Sequence, residues 1–323
     1  MTEKIVVLDL MAPARADKMR ALLPPGMTLS HGVERGDDHM KQIIADADYA
    51  IAGQVAVSGD VLRAGKKLKL LHKWGVGVDN LDLEAARALG VKVARTTGSN
   101  AIPVAEFALG LALAALRAIA LGNAELKQGH WRGMSGLPMA TYTLTAKTFG
   151  IIGFGAIGKT LARILKGFNC AVLYNKRTRL SPGEEAELGV SYASVADLLA
   201  RADVVSLNCP LTDETRSLIN KTSLQTMKPS AVLVNVARGG VVDEDDLVWA
   251  LQNRIIGAAA MDVFEIEPLP ADSPLLQKLD NLVVTPHLAA IAADVFEPTV
   301  RQMFGNIARV SRGEPVAAAD SVV

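Results

Sequence analysis

The sequence has little cysteine, few aromatic residues and no excess charge of either sign. Its two cysteines, Cys170 and Cys209, are too few for a disulfide framework and lack the spacing of metal ligands, so we expect a reducing compartment and no metal site. The 34 basic and 34 acidic residues cancel, so the chain as a whole has no net attraction toward nucleic acid or an anionic membrane. We therefore expect no nucleic-acid partner.

Long apolar runs are missing too. The most apolar stretch, residues 107–116, lies between Glu106 and Arg117 and is shorter than the roughly 20 residues that a membrane-spanning helix needs. The N-terminus MTEKIVVLDL lacks the extended apolar core and the small-residue cleavage site of a signal peptide. These features predict a soluble, cytoplasmic protein that makes no membrane contact.

Aliphatic residues, in contrast, are abundant. Hydrophobic residues make up 50% of the chain and aromatic residues only 4%, a balance typical of parallel strands covered by alanine-rich helices. At about 150 residues per domain, the 323 residues predict roughly two domains. The expected fold class is therefore α/β.

Short apolar runs alternate with helical patterns along the chain, as in βαβ units. The strand-like runs are KIVVLDL, DYAIAG, LKLLHKW and VKVAR in the first third, and TFGIIG, CAVLYN, ADVVSLN, AVLVNV, IIGAAAMD and NLVVTPH in the remainder. Between the two series, residues 99–128 predict one long helix that is apolar on most faces and therefore buried, against this chain or a second subunit. Residues 315–323 are expected to form a loose, exposed end. Two doubly wound units with parallel sheets are the simplest topology.

Gly153, Gly155 and Gly158 form a G-x-G-x-x-G motif directly after a strand-like run and at the start of a helical pattern. The first two glycines let the backbone turn tightly and approach a pyrophosphate, and the third lets the helix pack closely on its strand. The helix N-terminus then offers free N–H groups to the phosphates. An ordinary glycine turn is the alternative, but the strand–turn–helix context favours a dinucleotide site.

The end of the next strand bears on the choice of cofactor. NAD sites place an acidic residue there, which accepts hydrogen bonds from the ribose 2′-hydroxyl. Here the strand ends at Asn175 and is followed by Lys176, Arg177, Thr178 and Arg179. Three cations and no acid favour NADP over NAD, because they can bind a 2′-phosphate. The alternative is a solvated basic turn in which Asn175 bonds the hydroxyl of NAD.

Three later strand-like runs lead into an arginine, a carboxylate and a histidine. Arg238, Glu267 and His287 follow AVLVNV, AAAMD and NLVVTP, and in an open α/β sheet ligands bind outside the carboxyl ends of the strands. We expect the three side chains to meet near the nicotinamide. Glu265 competes with Glu267, since either carboxylate could face the crevice.

These residue types suit an oxidation that removes a hydride from carbon and a proton from a hydroxyl, and the reverse reduction. His287 can exchange a proton near neutral pH, and a carboxylate such as Glu267 beside it would orient the ring and favour the imidazolium. Arg238 can bind a carboxylate through its fork of donors. An ion pair with Asp262 or Asp243 is the structural alternative for Arg238.

Six motifs in this order resemble the D-isomer-specific 2-hydroxyacid dehydrogenases. They are GVGVDN from Gly75, PVAEF from Pro103, the glycine motif, NVARGGVVDEDDL, MDVFEIEP and TPHLAA, and together they cover nearly the whole chain. The resemblance implies that Arg238, Glu267 and His287 are catalytic and that Val76 and Gly77 hold the substrate carboxylate. It also implies a homodimer.

The resemblance further implies a Rossmann dinucleotide-binding domain, residues 99–287, inserted into a flavodoxin-like substrate-binding domain made of residues 1–98 and 288–323. The expected cofactor-binding residues lie in the glycine loop and at the strand ends: Gly153, Gly155, Ala156, Ile157, Gly158, Asn175, Lys176, Arg177, Thr178, Cys209, Pro210, Val236, Ala237, Asp262, His287 and Ala289. Ala289 departs from the family pattern, which has glycine two residues after the catalytic histidine.

The resulting prediction is NADPH-dependent reduction of a small 2-oxo acid such as glyoxylate or hydroxypyruvate to its D-2-hydroxy acid. The alternative within the class is an NAD-dependent phosphoglycerate-type dehydrogenase, in which Lys73 supplies phosphate affinity. The alternative from another class is a dinucleotide-sensing, corepressor-like interaction protein, because one fold can serve both uses. The presence of all three reaction residues favours the enzyme.

Overall fold

The computed structural model describes residues 2–131, 133, 136–277 and 279–323, which divide into two compact units. Unit 1 comprises Met1–Asn100 with Ala292–Val323, and unit 2 comprises Ala101–Ile291. The sequence placed the corresponding boundaries after residues 98 and 287. The substrate-binding and dinucleotide-binding roles of the units stay predictions.

Helices and strands alternate through both units. The strands are β1 Glu3–Leu10, β2 Met27–Gly32, β3 Tyr49–Ala52, β4 Leu70–Lys73, β5 Lys92–Arg95, β6 Thr148–Ile152, β7 Ala171–Asn175, β8 Val190–Tyr192, β9 Val204–Leu207, β10 Val232–Asn235, β11 Ala258–Met261 and β12 Leu282–Val284. The helices are α1 Pro13–Arg20, α2 Asp37–Ile44, α3 Gly59–Ala64, α4 Leu83–Ala88, α5 Ala101–Leu116, α6 Ile119–Lys127, α7 Ala156–Leu165, α8 Pro182–Leu188, α9 Val195–Arg201, α10 Lys221–Thr226, α11 Glu244–Gln252 and α12 Ala293–Ser311.

Each unit is built on one sheet whose neighbouring strands pair in parallel. The strand order in unit 1 is β2-β1-β3-β4-β5, which is the order of a flavodoxin-like sheet. The order in unit 2 is β12-β11-β10-β9-β6-β7-β8, so the strands wind outward in both directions from β6 and β9, as in a Rossmann sheet. The predicted α/β fold with two parallel sheets is confirmed.

The central strands are buried on both faces, which explains their continuous apolar sequences. In β10, Val232 and Val234 belong to the hydrophobic cluster on one face of the sheet, and Leu233 belongs to the cluster on the other. The two strands that the sequence did not predict, β2 and β8, lie at the edges of their sheets and contain the polar sequences MTLSHG and VSY. An edge strand has fewer neighbours to bury it, so it carries a weaker apolar pattern.

The single helix predicted for residues 99–128 is wrong. The chain forms α5 and α6 instead, which are bent by 64° with respect to each other. Ala118, between them, has a left-handed φ of 51°, which a right-handed helix cannot accommodate. Most of α5 is buried, whereas α6 buries only Glu125. Among the described residues, no single helix is long and apolar enough to cross a membrane. Only α5 and α6 counted together reach that length and apolar composition, and they are bent.

The C-terminal residues 315–323 are not a loose end. The N–H of Val322 donates to Val93 O at 2.9 Å, and the N–H of Val93 donates to Val323 O at 3.0 Å, so the tail pairs with β5. Asp320 is only 3% exposed, and its carboxylate accepts the N–H of Thr97 at 2.9 Å. The tail is therefore part of the structure of unit 1.

A buried histidine supports this arrangement. His72 is fully buried, with Nδ1 3.0 Å from Lys73 O and Nε2 3.1 Å from Asn306 Nδ2, an amide that also donates to Asp320 at 2.9 Å. Because an amide N–H can only donate, Nε2 accepts and the proton of the neutral ring lies on Nδ1. Burial lowers the pKa of His72 to about 4.

We expect unit 1 to lose stability in acid because of His72. The unfolded chain protonates this ring near pH 6.5 and the folded chain only near pH 4, so acidification between these values stabilises the unfolded state. The pKa difference corresponds to about 3 kcal/mol of unfolding free energy. Urea unfolding at pH 7.5 and 4.5 measures the loss through Trp74 fluorescence, with Trp131 and Trp249 replaced by phenylalanine.

The variant His72→Asn should lack this part of the pH dependence, whatever its stability at neutral pH. His130→Gln is the matched control, because His130 is exposed, and it should keep the full dependence. An unchanged acid response in His72→Asn would contradict the assignment.

Candidate active site

The glycine motif lies between β6 and α7, where the strand order of the unit 2 sheet reverses. Gly153 has a φ of 94°, and a Cβ at this residue would lie 2.3 Å from Cys209 N. A Cβ on Gly158 would lie 2.7 Å from Gly153 O. The space around Gly155 is open, with no atom within 4 Å of a Cβ position. The first and third glycines are thus needed for packing, and the second leaves the backbone accessible to a ligand.

The start of α7 presents unpartnered donors. No side chain caps this helix, and within the described residues the N–H groups of Ala156, Ile157 and Gly158 have no hydrogen-bond acceptor. Asn208 Oδ1, just beyond β9, is a buried acceptor without a partner and is not one of these donors. Free N–H groups at a helix N-terminus bind phosphate, so this cradle fits the pyrophosphate of a dinucleotide.

The three cations predicted after β7 differ in their partners. Arg179 forms two hydrogen bonds with Glu185, at 2.8 and 2.9 Å, and this ion pair occupies its guanidinium. Lys176, Arg177 and Thr178 make no side-chain hydrogen bond or ion pair with another described residue. The set of three cations expected to bind a 2′-phosphate is therefore reduced to two.

The remaining expected cofactor residues of this region lie at the carboxyl edge of the same sheet. Asn175 ends β7, Cys209 and Pro210 follow β9, and Val236 and Ala237 follow β10. Burial raises the pKa of Cys209 to about 11, so its thiol stays protonated at neutral pH. A buried, protonated thiol is a poor nucleophile, so Cys209 has the character of a small apolar residue.

His287, after β12, and Glu267, after β11, form a close pair. His287 Nδ1 lies 2.6 Å from Glu267 Oε2, and the side chains are 30% and 31% exposed. The N–H of Phe264 donates to Glu267 Oε1 at 2.9 Å. Burial alone would raise the pKa of Glu267, but the hydrogen bonds from His287 and Phe264 and the charge of Arg238 hold that pKa below its usual range. Glu267 is therefore an ionised carboxylate beside the imidazole at neutral pH.

Glu265, the competing carboxylate, has a different environment. Its Oε1 lies 3.9 Å from Arg216 Nη1, and its N–H donates to Glu244 Oε1 at 2.7 Å. Of the two acids in the motif, Glu267 is the one that contacts the histidine.

Arg238 lies in a turn that packs against the segment leading to Glu267. Asn235 Nδ2 donates to Arg238 O at 2.9 Å, which fixes the start of the turn. A Cβ on Gly239 would lie 1.8 Å from the carbonyl carbon of Phe264, so only glycine permits this approach of the two backbones. The contact explains why the charge of Arg238 acts on Glu267.

The two aspartates considered as ion-pair partners of Arg238 have other roles. Asp243 caps α11 by accepting the N–H of Asp246 at 3.0 Å. Both carboxylate oxygens of Asp262 accept hydrogen bonds from the loop that carries His287.

That loop is held by Asp262, which is fully buried. Its Oδ1 accepts from Thr285 Oγ1 at 2.6 Å and from the N–H of Leu288 at 2.8 Å, and its Oδ2 accepts from the N–H of Ala289 at 2.9 Å. These bonds hold His287 at a φ of 54°, a conformation that a non-glycine residue adopts only when its surroundings impose it. Sequence reasoning named Asp262 and Ala289 as cofactor contacts but missed this clamp and missed Thr285. The sequence did contain a signal for this clamp: an aspartate directly follows one buried strand, and Thr-Pro-His directly follows the next strand.

In unit 1, the loop after β4 offers two amide donors. The N–H of Gly75 is already used, because it donates to Thr96 Oγ1 at 2.8 Å. Within the described residues the N–H groups of Val76 and Gly77 have no acceptor. Two adjacent free amides suit a carboxylate.

Lys73, just before this loop, is only 5% exposed. Its Nζ contacts Gly53 O and Asn80 Oδ1, the latter at 2.8 Å. The side chain thus joins two loops of unit 1, and this burial does not fit the expected role of supplying phosphate affinity.

Known proteins resemble the chain over most of its length. Residues 109–289 match the model of the family described as D-isomer specific 2-hydroxyacid dehydrogenase, NAD binding domain. The chain is 37% identical over 260 residues to a hydroxypyruvate reductase of Thermotoga maritima, covering 80% of this chain and 82% of that protein. It is 38% identical over 259 residues to a glyoxylate reductase of Korarchaeum cryptofilum, covering 80% and 77%. The structure is similar to that of an NAD-dependent formate dehydrogenase from Staphylococcus aureus in complex with NAD, with a TM-score of 0.86 and 28% identity over 99% of each chain.

Proposed function

Since the chain belongs to the D-isomer specific 2-hydroxyacid dehydrogenase family, oxidoreductases that act on CH–OH groups with NAD or NADP, we propose that it reduces small 2-oxo acids of the glyoxylate or hydroxypyruvate type to D-2-hydroxy acids. The observation that carries the proposal is the 2.6 Å contact between His287 and Glu267, with the charge of Arg238 close by. This arrangement can exchange a proton and bind an anion.

Each group has a separate role in the proposed reaction. When bound, the nicotinamide cofactor supplies the hydride. His287, whose Nδ1 contacts Glu267, gives a proton to the substrate oxygen through Nε2. The ionised Glu267 contacts Nδ1 and so orients the ring. Arg238 binds the substrate carboxylate and polarises the neighbouring carbonyl.

Two further groups bind the reactants. We propose that the free N–H groups of Val76 and Gly77 bind a carboxylate oxygen of the substrate, and that Gly155 and the free N–H groups at the start of α7 bind the pyrophosphate. Neither role needs a side chain, so both depend on the backbone conformation of the loops.

The other candidate functions have less support. The phosphoglycerate alternative depended on Lys73, which is buried and bonded to neighbouring loops. The contact between His287 and Glu267 favours the enzyme over the corepressor-like alternative, because a histidine beside a carboxylate suits proton transfer. Assays of purified protein with glyoxylate and hydroxypyruvate, each with NADPH and NADH, test the proposal. We expect cofactor oxidation with at least one acid, and no oxidation with either would overturn the proposal.

We further propose that NADP is preferred over NAD, with Lys176 and Arg177 binding the 2′-phosphate. Replacing both residues with serine should lower kcat/KM for NADPH by about tenfold or more for each lost charge. The value of kcat/KM for NADH should stay nearly unchanged, because NADH has no 2′-phosphate. Arg179→Ser is the matched control, because this cation is already paired with Glu185. A wild-type preference for NADH would contradict the proposal.

We also propose a homodimer that uses the surface around α6. Ile119 and Leu126 are each 56% exposed and Trp131 is 86% exposed, which is unusual for large apolar side chains close together in the sequence. Sedimentation equilibrium should give about twice the chain mass of 34.1 kDa. The double variant Ile119→Lys with Leu126→Lys should give the monomer mass, and a wild-type monomer would contradict the proposal.

A further inference from the structure

Arg15, in α1 of unit 1, lies against two aromatic rings. Its Cζ is 5.1 Å from the ring centroid of Trp74 and 5.1 Å from that of Phe296, and the two ring centroids are 5.8 Å apart. Stacking on ring faces fixes a guanidinium in position but uses none of the N–H groups along its edge.

Those N–H groups have no partner in the described part of the chain, where Arg15 makes no hydrogen bond and no ion pair. Burial lowers the pKa of Arg15, and the charge of Asp9 offsets part of this effect. An arginine remains charged even so. The side chain is therefore an exposed cation that two aromatic rings hold in position, and its fork of donors is available.

Asp9 does not bind this cation. Its carboxylate accepts the N–H groups of Gly53, of Gln54 at 2.7 Å and of Val55 at 3.2 Å. Asp9 thus holds the loop after β3 and leaves the edge of Arg15 for another anion.

The position of Arg15 links it to the proposed substrate carboxylate site. Trp74 precedes Val76 by two residues, so their Cα atoms are at most about 7 Å apart. Asp9 is near the end of β1, Gly53 follows β3 and Trp74 follows β4, and these strands are adjacent and parallel. Arg15 and the free amides of Val76 and Gly77 therefore lie at the same carboxyl edge of the unit 1 sheet, where ligands of open α/β sheets bind.

We infer that Arg15 is a specificity-determining residue that binds a second carboxylate at the far end of a longer substrate, so that the site prefers a dicarboxylic 2-oxo acid to a monocarboxylic one of equal chain length. This inference rests on the proposed function. A guanidinium fork matches a carboxylate through two parallel hydrogen bonds, and the rings of Trp74 and Phe296 keep it from turning away.

The test compares 2-oxo acids of equal chain length with and without the second carboxylate: oxaloacetate against 2-oxobutyrate, and 2-oxoglutarate against 2-oxopentanoate. Wild-type enzyme should favour the dicarboxylate of at least one pair by tenfold or more in kcat/KM. Arg15→Met keeps an unbranched apolar stem but removes the guanidinium and its charge, and should lower kcat/KM for the dicarboxylate by about 10- to 100-fold, mainly through KM. The monocarboxylates should change less than twofold.

Two controls separate binding from packing. Arg20→Met removes a cation of the same helix that is paired with Asp17, and should leave the preference intact. Arg15→Lys keeps the charge but loses the planar fork, and should restore only part of the preference. Equal losses for both acids of a pair in Arg15→Met, or no wild-type preference, would overturn the inference.

A third arm uses phosphohydroxypyruvate against hydroxypyruvate. The wild-type enzyme could prefer the phosphate ester and show no preference for either dicarboxylate. If Arg15→Met then abolished the preference for the phosphate ester, the ligand of Arg15 would be a phosphate, and the assignment of a carboxylate would be overturned. If wild-type enzyme reduces monocarboxylic acids but shows none of these effects, the inference fails while the proposed function stands. If it reduces no 2-oxo acid at all, the proposed function itself fails.

Discussion

The variant His287→Asn should lower kcat for 2-oxo acid reduction by about 10²- to 10⁴-fold, the usual contribution of a general acid. Asparagine is smaller than histidine but polar, and it cannot transfer a proton near neutral pH. The bonds from Asp262 to Leu288 and Ala289 involve backbone N–H groups, so the loop should keep its conformation. Steady-state kinetics with NADPH and hydroxypyruvate measures the loss, and NADPH fluorescence titration checks that cofactor binding is retained.

Variants of the neighbouring acids provide the controls for this prediction. Glu267→Gln retains a hydrogen-bonding group beside the ring but removes the charge, so kcat should fall less than in His287→Asn. Glu265→Gln, two residues away, should leave kcat nearly unchanged because Glu265 is close to Arg216 and not to the histidine. Near-normal turnover by His287→Asn, or equal losses in the two glutamine variants, would contradict the proposed roles.

The variant Gly153→Ala should destabilise unit 2 by about 3–5 kcal/mol, which is near the upper end of single-residue effects. Its Cβ would lie 2.3 Å from Cys209 N and 2.4 Å from the carbonyl carbon of Asn208, and neither backbone atom can rotate away as a side chain could. The φ of 94° adds strain for any residue with a Cβ. Urea unfolding, followed through Trp249 in a background without the other two tryptophans, measures the loss.

Gly155→Ala is the matched variant with the opposite expectation. Its Cβ would enter open space, so the unfolding free energy should change by less than about 1 kcal/mol. The same methyl group would occupy the space through which a pyrophosphate approaches the backbone, so the dissociation constant for NADPH should rise. Equal stability of Gly153→Ala and wild type, or unchanged NADPH affinity in Gly155→Ala, would contradict this description of the loop.

The sequence predicted the strands with apolar runs, which include the edge strands β5 and β12 as well as the central strands. β10 reads as a continuous apolar run because Val232, Leu233 and Val234 are buried on alternating faces of the sheet. The edge strands β2 and β8 were not predicted. Part of their surface is exposed to solvent, so their sequences contain polar residues and lack a continuous apolar run. The break at Ala118 also left no sign in the sequence, since alanine is the strongest helix former and only its φ reveals the turn.

Long-range contacts limited the prediction of the site in a similar way. Arg179 could be counted as a phosphate ligand until its pairing with Glu185 was known. Glu265 and Glu267 are two residues apart in the same motif, and only the folded loop determines which carboxylate meets His287. The carboxylate of Asp262 bonds to residues 23 to 27 positions later in the chain, through contacts that no local pattern encodes.

The most direct test of the proposed reaction is the identity and handedness of its product. Purified protein is incubated with hydroxypyruvate and NADPH, NADPH consumption is followed by absorbance, and the products are separated by chiral chromatography. We expect D-glycerate in an amount equal to the NADPH consumed, and at least about a hundredfold slower formation with His287→Asn. Formation of L-glycerate, or no consumption of NADPH, would contradict the account.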